Sequence, residues 1–498
     1  LSDDAARGEI RDLLEGAEAR TLRGREERCG EFSLIDMPLR KATDLSLPLT
    51  FVLAALLLLR AHASEFCAGA AQVEITPKTG TPMAGYYKFR AVEGVLDPLY
   101  AKTFVVEQDG SFAALVVLDL SGTTRPIVAA ARQTIQEQCG IPGDRVIIAA
   151  THTHSGAQLA RGSMMDDLTQ ANSPPGAAYM SALPGLIAQS VAEAKSKLVA
   201  ATPAIAIGKA EGISFNRRVL RNGSDKAIWQ PAKIDPAIER AAGPVDPDVG
   251  VLAFQSDGKT IATCLNFAMH PTSVGSGLKV SADYPGVFTK LISERHGGIS
   301  VFANGCCGNI NHTDYLTGKR RTTQELGAAL ADAADAAWPA LKPLRTFAPR
   351  VRSEQVTLQR RTFSEAEIAK AKDVANRMMT EKLGTVPMAE AVCILETVGK
   401  KDVPLIAEVQ VVSFSDELAI VALPGEIFVE LGLAIKKASP FKHTLIVELA
   451  NGSIGYVPNR EAYPQGNYEV ISARGEAGSG EKLVEVALRL LAEVHAAK

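Results

Sequence analysis

Apolar runs that double back through short polar turns constrain this chain more than any other feature. Phe104 to Glu107 and Phe112 to Leu118 flank Asp109-Gly110, and Val251 to Phe254 and Ile261 to Phe267 flank Asp257-Gly258. Val409 to Phe414 and Leu418 to Leu423 likewise flank Ser415-Asp416. Turn pairs between apolar runs are hairpin signals. Further short strands are expected at Val146 to Ala150 and Ser300 to Phe302. Helical segments fall between them: Ile127 to Cys139, the Ala-rich Leu326 to Leu341, and Ser364 to Met379, where Ser364 and Glu367 are spaced as a capping box. An amphipathic helix from Glu481 to Ala497 closes the chain. Hairpins interleaved with helices, without an internal repeat or a Gly/Ser linker, predict an α/β fold: one large mixed-sheet domain with flanking helices over residues 64–498. A barrel needs eight alternating strand and helix units, and the hairpins fit it poorly.

Composition narrows the function classes. Of 498 residues, 46% are hydrophobic and 22% charged, enough apolar mass to offset the entropy of ordering, so disorder is excluded as the main state. The formal net charge is −3 and the basic residues are scattered, which argues against a nucleic-acid partner. Seven cysteines are too few for a disulfide scaffold.

The N-terminal region reads as processing. The longest apolar run, Leu47 to Leu59, falls short of the ~20 residues that a bilayer-spanning helix needs. Arg40 and Lys41 precede it, and Ala61-His62-Ala63-Ser64 follows as an A-x-A site, so a signal peptide is expected over 37–63 with cleavage after Ala63. Met37 opens a segment of normal signal length, and residues 1–36, which begin with Leu, are expected to be a mis-called extension. The expected product is secreted or periplasmic, without a transmembrane span in the mature chain. It keeps Cys67, Cys139, Cys264, Cys306, Cys307 and Cys393, whose pairing the sequence does not fix.

Ligands in α/β folds gather where strands end. Four expected strand ends carry polar residues: Thr151-His152-Thr153-His154-Ser155-Gly156, Ala268-Met269-His270-Pro271-Thr272-Ser273, Gly305-Cys306-Cys307-Gly308-Asn309-Ile310-Asn311-His312 and Pro424-Gly425-Glu426. Alternation along a strand would put His152 and His154 on one side. Imidazoles and a carboxylate at strand ends suit zinc, with one position left for water. Cys306-Cys307 reads as space-filling beside a site. Asp283 reads either as a base or supporting carboxylate, or as a turn cap.

Taken together, Thr151 to Gly156, Asn266 to Ser273 and Leu423 to Glu426, with Asn216-Arg217 and Arg460-Glu461-Ala462-Tyr463, resemble the neutral (non-lysosomal) ceramidases over about residues 67 to 498. The resemblance implies a secreted zinc amidase that cleaves the N-acyl bond of ceramide. One zinc per chain would be held by His152, His270, Glu426 and Tyr463; Tyr456 and Tyr468 lie close to the last. His154 would contact the scissile group, and Arg217, or its neighbour Arg218, would bind substrate.

Three departures bear on substrate. The family's G-[ND]-x-S-P serine is replaced by Asn311, in Gly308-Asn309-Ile310-Asn311-His312. An amide can orient a carbonyl or a water but cannot act as a nucleophile, so water activated by zinc is the remaining route. The family's C-terminal immunoglobulin-like domain is not expected here, and Ser472 to Glu481 lacks the family's tyrosine-bearing motif. The expected function is zinc-dependent hydrolysis of an N-acyl amide, in ceramide or a related sphingolipid, met as a small-molecule or lipid substrate at a membrane surface. The alternatives are another amide or ester on the same scaffold, and a binding protein that has lost catalysis.

Overall fold

The structure, a computed structural model, describes residues 65–378 and 380–497. The expected extension 1–36 and signal peptide 37–63 lie outside the described residues. Strands form three main sheets. The first runs Val146–Ala150, Ser111–Leu118, Tyr100–Gln108, Cys67–Glu74, Val199–Ala200. The second runs Ile299–Asn304, Lys259–Phe267, Asp248–Ser256, Thr202–Lys209, Lys342–Pro343. The third runs His443–Val447, Leu418–Ala422, Leu405–Ser415, Thr346–Leu358.

Each sheet is built in the same chain order. A first strand pairs antiparallel with a hairpin, a helix crosses over, and a last strand lies parallel to the second arm of the hairpin. The crossing helices are Arg125–Cys139, Asp283–His296 and Val429–Ala438. A second helix follows each last strand: Pro174–Ser196, Thr323–Ala337 and Ser479–Ala496. The sequence carries no visible repeat, yet the topology repeats three times, because only the pattern of burial is shared.

Strand periodicity explains the packing. Leu115 and Val117 face a core shared with Leu252, Phe254, Val301, Phe414 and Ile420, one contribution from each sheet. Their neighbours Val116 and Leu118 face the opposite way, onto Val128, Ile135 and Ile187 of the covering helices. Phe267 and Phe302 meet Phe288 and Leu330 in the second unit, and Val411 and Val421 meet Leu431 and Leu490 in the third. Strands covered on both faces read as unbroken apolar runs rather than alternating ones.

The three expected hairpins form, the third turning at Asp416-Glu417, one residue beyond the expected Ser415-Asp416. The capping box at Ser364 and Glu367 opens Glu365–Arg377. The Ala-rich helix starts at Thr323 and stops at Ala337, short of Leu341, because Pro339 supplies no N–H to continue the ladder. Pro174–Ser196 is left unassigned by the sequence reading; its opening prolines occupy helix positions whose N–H groups need no partner. All six described cysteines are unpaired. Among the described residues no helix is long and apolar enough to cross a membrane.

Between the first and second strands of each unit lies an insertion: residues 75–99, residues 210–247 and residues 359–404. The second holds the small sheet of Arg218–Arg221, Ala227–Trp229 and Ile238–Ala241, and the third holds Glu365–Arg377 and Thr385–Gly399.

Candidate active site

The strand ends of the three units meet. His152 follows Val146–Ala150, His270 follows Lys259–Phe267 and Glu426 follows Leu418–Ala422. Glu426 Oε2 lies 3.3 Å from His152 Nε2 and 3.2 Å from His270 Nε2. His154 Nε2 is 3.3 Å from His152 Nε2. His152 and His154 converge, but not through strand alternation: both lie beyond the strand, and His152 sits at φ 75°. That left-handed kink turns the chain so that both rings face inward.

Each ring is fixed from behind. His152 Nδ1 donates to Ser121 O at 2.6 Å, His270 Nδ1 to Cys307 O at 2.6 Å and His154 Nδ1 to Gly85 O at 3.1 Å. A carbonyl can only accept, so the proton sits on Nδ1 and each Nε2 presents a lone pair. Burial pushes His270 down to about 3 and His154 well below the usual imidazole range. Three lone pairs and a carboxylate facing one another at these distances repel unless a cation or proton lies between them. The donor set and the anchoring of each ring suit zinc.

Tyr463 lies apart from this cluster. Its hydroxyl donates to Gly475 O at 2.8 Å and Glu476 O at 3.2 Å. Tyr456 instead pairs across a parallel ladder with Glu426, and burial together with that neighbouring carboxylate pushes its phenol well above the usual range. The reason is the ladder itself: Glu426–Ile427 against Tyr456–Val457 puts the two side chains side by side, whereas Tyr463 falls on the following helix, Ala462–Gln465. Tyr468, 5.6 Å from Tyr456 by ring centroids, completes an aromatic wall.

Arg217, rather than Arg218, reaches the site. It donates to Glu469 at 2.8 Å, to Gly308 O at 2.8 Å and to the Tyr456 hydroxyl at 3.0 Å. Arg218 points away, to Glu469, Gly466 O and Gln465. Asn311 is buried and lines a cavity of about 500 Å³ together with Arg217, His154 and Tyr456. A second cavity of about 150 Å³ adjoins it and is lined by His152, His154, Glu426 and Tyr456. Gly308 admits the backbone of Glu426, since a Cβ there would lie 2.5 Å from Glu426 O.

Asp283 serves the loop after His270. Its carboxylate accepts from Val274 N at 2.9 Å and Tyr284 N at 2.7 Å, and from the Ser273 hydroxyl. Cys307 fills space, donates from Sγ to Glu448 at 2.8 Å and orients His270 through its carbonyl. Glu448, Glu469 and Arg90 escape the sequence reading. Arg90 holds the 84–90 loop by donating to His154 O at 2.7 Å and Gly277 O at 2.7 Å.

Comparison with known proteins agrees with this geometry. Residues 66–305 match the family model of the neutral/alkaline non-lysosomal ceramidases, N-terminal domain. The fold is similar to the crystal structure of neutral ceramidase from Pseudomonas aeruginosa, with a TM-score of 0.67 and 19% identity over 87% of this chain and 75% of that one. A ceramidase complexed with C2 superposes at a TM-score of 0.67, with 20% identity over 86% of this chain and 75% of that chain. No curated protein matches.

Proposed function

We propose, from the premise that this chain belongs to the neutral/alkaline non-lysosomal ceramidase family, that it is a secreted zinc amidohydrolase cleaving the N-acyl bond of ceramide or a related acylated amine. The carrying observation is the convergence of the His152 and His270 Nε2 lone pairs on one oxygen of Glu426. His152, His270, Glu426 and Tyr456 are the residues assigned to hold the metal, with Tyr456 taking the place that the resemblance gave to Tyr463. Zinc bound there supplies Lewis-acid polarisation and activates water at neutral pH.

The chain's own residues do the rest. His154, outside the assigned ligand set but lining both cavities, presents Nε2 to the scissile group and can hold a proton in transit. Arg217 is locked by Glu469, so its remaining donor capacity stabilises charge that develops on the carbonyl oxygen. Asn311 orients the amide by hydrogen bonds, a role a carboxamide can fill without a nucleophilic step.

The test is metal content and amide turnover of the purified protein and of His152→Ala. The expected result is about one zinc per chain in the parent and loss of both zinc and turnover in the variant. A variant that keeps stoichiometric zinc and full activity would overturn the assignment. N-terminal sequencing of protein recovered from the medium reads the proposed cleavage after Ala63.

A further inference from the structure

The two cavities beside the histidines differ in charge balance. In the smaller, Arg161 and Arg474 are matched by two lining carboxylates, Glu396 and Glu426. The larger, of about 500 Å³, is lined by Lys88, Arg217 and Arg320 and by no carboxylate. Arg217 shares one carboxylate, the buried Glu469, with Arg218, so two guanidinium groups divide a single negative charge. Lys88 and Arg320 are exposed and stand at the rim. The neutral polar groups of the wall add donors rather than acceptors. His312 N donates to Asn311 Oδ1, which occupies the amide's acceptor and leaves its Nδ2 hydrogens to be matched. The Trp229 indole N–H is buried without a hydrogen-bond partner. The charges of Arg217 and Arg320 both act on Tyr315, on the same wall, against the burial that raises its phenol. Cations without a lining carboxylate, beside N–H groups without acceptors, form a wall that a neutral amine portion leaves unsatisfied and an anion completes.

We propose that the larger cavity receives an anion carried on the amine portion of the substrate, so that the substrate class is an acyl amide with a carboxylate or phosphate a few bonds from the amide nitrogen. This rests on the amidohydrolase reading above. Arg320 and Trp229 would take the anion, with Lys88 at the rim, while Arg217 keeps the carbonyl oxygen. The short spacing follows from Tyr315: the cation assigned to the carbonyl and the cation assigned to the anion reach the same ring. An anion at the far end of a long acyl chain would lie many bonds beyond that wall. Hydrolysis adds water oxygen to the carbonyl carbon and breaks the C–N bond. The leaving nitrogen takes a proton, giving a fatty acid and an anionic amine.

The experiment uses two matched pairs on the zinc-loaded protein: N-lauroylglycine against N-lauroylglycinamide, and N-lauroyl-O-phosphoethanolamine against N-lauroylethanolamine, with dodecanoyl ceramide as a further neutral substrate. Binding of each pair to the apoprotein, where no metal competes for the anion, is measured in parallel by calorimetry. A hydrogen-bonded charge partner predicts kcat/KM about 10- to 100-fold higher for the anion than for its neutral counterpart. Discrimination within either pair supports the subsite, and the pair that shows it tells a carboxylate from a phosphate. Arg320→Gln should bring that ratio toward one, Arg320→Lys should restore part of it, and Arg161→Gln, in the charge-matched smaller cavity, should leave it unchanged. A ratio that survives Arg320→Gln and collapses in Arg161→Gln overturns the proposal. Equal or faster turnover of the neutral amides or the ceramide overturns the anion subsite while the hydrolase stands. Selective binding of an anion without turnover of any substrate keeps the subsite and removes the amidase reading. Neither turnover nor selective binding removes both.

Discussion

Glu469→Gln tests the support behind Arg217. Glu469 is fully buried and takes Arg217 at 2.8 Å on one oxygen and Arg218 at 3.1 Å on the other. Arg217 and Arg218 are themselves 3% and 1% exposed, so water cannot compensate a lost charge. Breaking a buried pair by removing one partner costs about 3–5 kcal/mol. Both guanidinium groups keep other acceptors here, Gly308 O and Tyr456 for Arg217 and Gly466 O and Gln465 for Arg218, which places the expected loss near the lower end. About 3 kcal/mol is a factor of roughly 150 in the folded-to-unfolded ratio. Urea unfolding should register it as a lower midpoint at unchanged slope. Because Arg217 also fixes Tyr456, turnover should fall at least ~10-fold. Adding Arg218→Met removes one of the two stranded charges and should recover about 1 kcal/mol relative to additivity. A loss under about 1 kcal/mol for Glu469→Gln alone would refute the argument that this carboxylate is what makes two buried arginines tolerable.

Two other expectations follow from the geometry. Tyr456→Phe should weaken zinc retention about 10- to 100-fold in a chelator competition while Tyr463→Phe leaves it unchanged; the reverse ranking would return the phenol ligand to Tyr463. Asp119, pushed up to about 6 chiefly by burial, binds its proton more tightly folded than unfolded, so its neutral form stabilises the fold at low pH and that stability is lost as pH rises from near 4 through about 6. Relative to Asp119→Asn, the parent should lose up to about 3 kcal/mol over that window, and parallel pH profiles would show the group to be ionised throughout.

The site was legible where chemistry is concentrated in short motifs. His152, His154, His270 and Glu426 each follow an apolar strand, and strand ends are readable from hydrophobic runs alone. Tyr456 was not resolved from Tyr463, because the choice depends on a two-residue ladder, Glu426–Ile427 with Tyr456–Val457, that has no hydrophobic signature. Glu469 and Glu448 look like ordinary surface carboxylates in sequence. Their role comes from tertiary burial between distant segments. Pro174–Ser196 escaped because Pro184 sits inside it and apolar residues surround it, so neither capping nor amphipathic spacing marks the helix.

The threefold topology accounts for how chemistry and selectivity are divided. Three sheets that share an inner core bring three strand-end loops to one place: the first gives His152 and His154 to the cluster, the second His270 and the third Glu426. The cavity walls come from the three equivalent insertions: Gly85, Tyr86 and Tyr87 from the first, Arg217 and Trp229 from the second, Met388 and Glu396 from the third. The strand-end rings are held from behind by hydrogen bonds to Ser121 O and Cys307 O, whereas an insertion can vary without disturbing the shared core. The family match ends at residue 305, before the third unit, and Glu396, Ser472 and Arg474 all lie beyond it. The smaller cavity thus draws its charged lining from both sides of that boundary, Arg161 before it and Glu396, Glu426 and Arg474 beyond it. The match covers His152 and His270 but neither Glu426 nor Tyr456, so the cluster and its walls alike draw on the part of the chain beyond it.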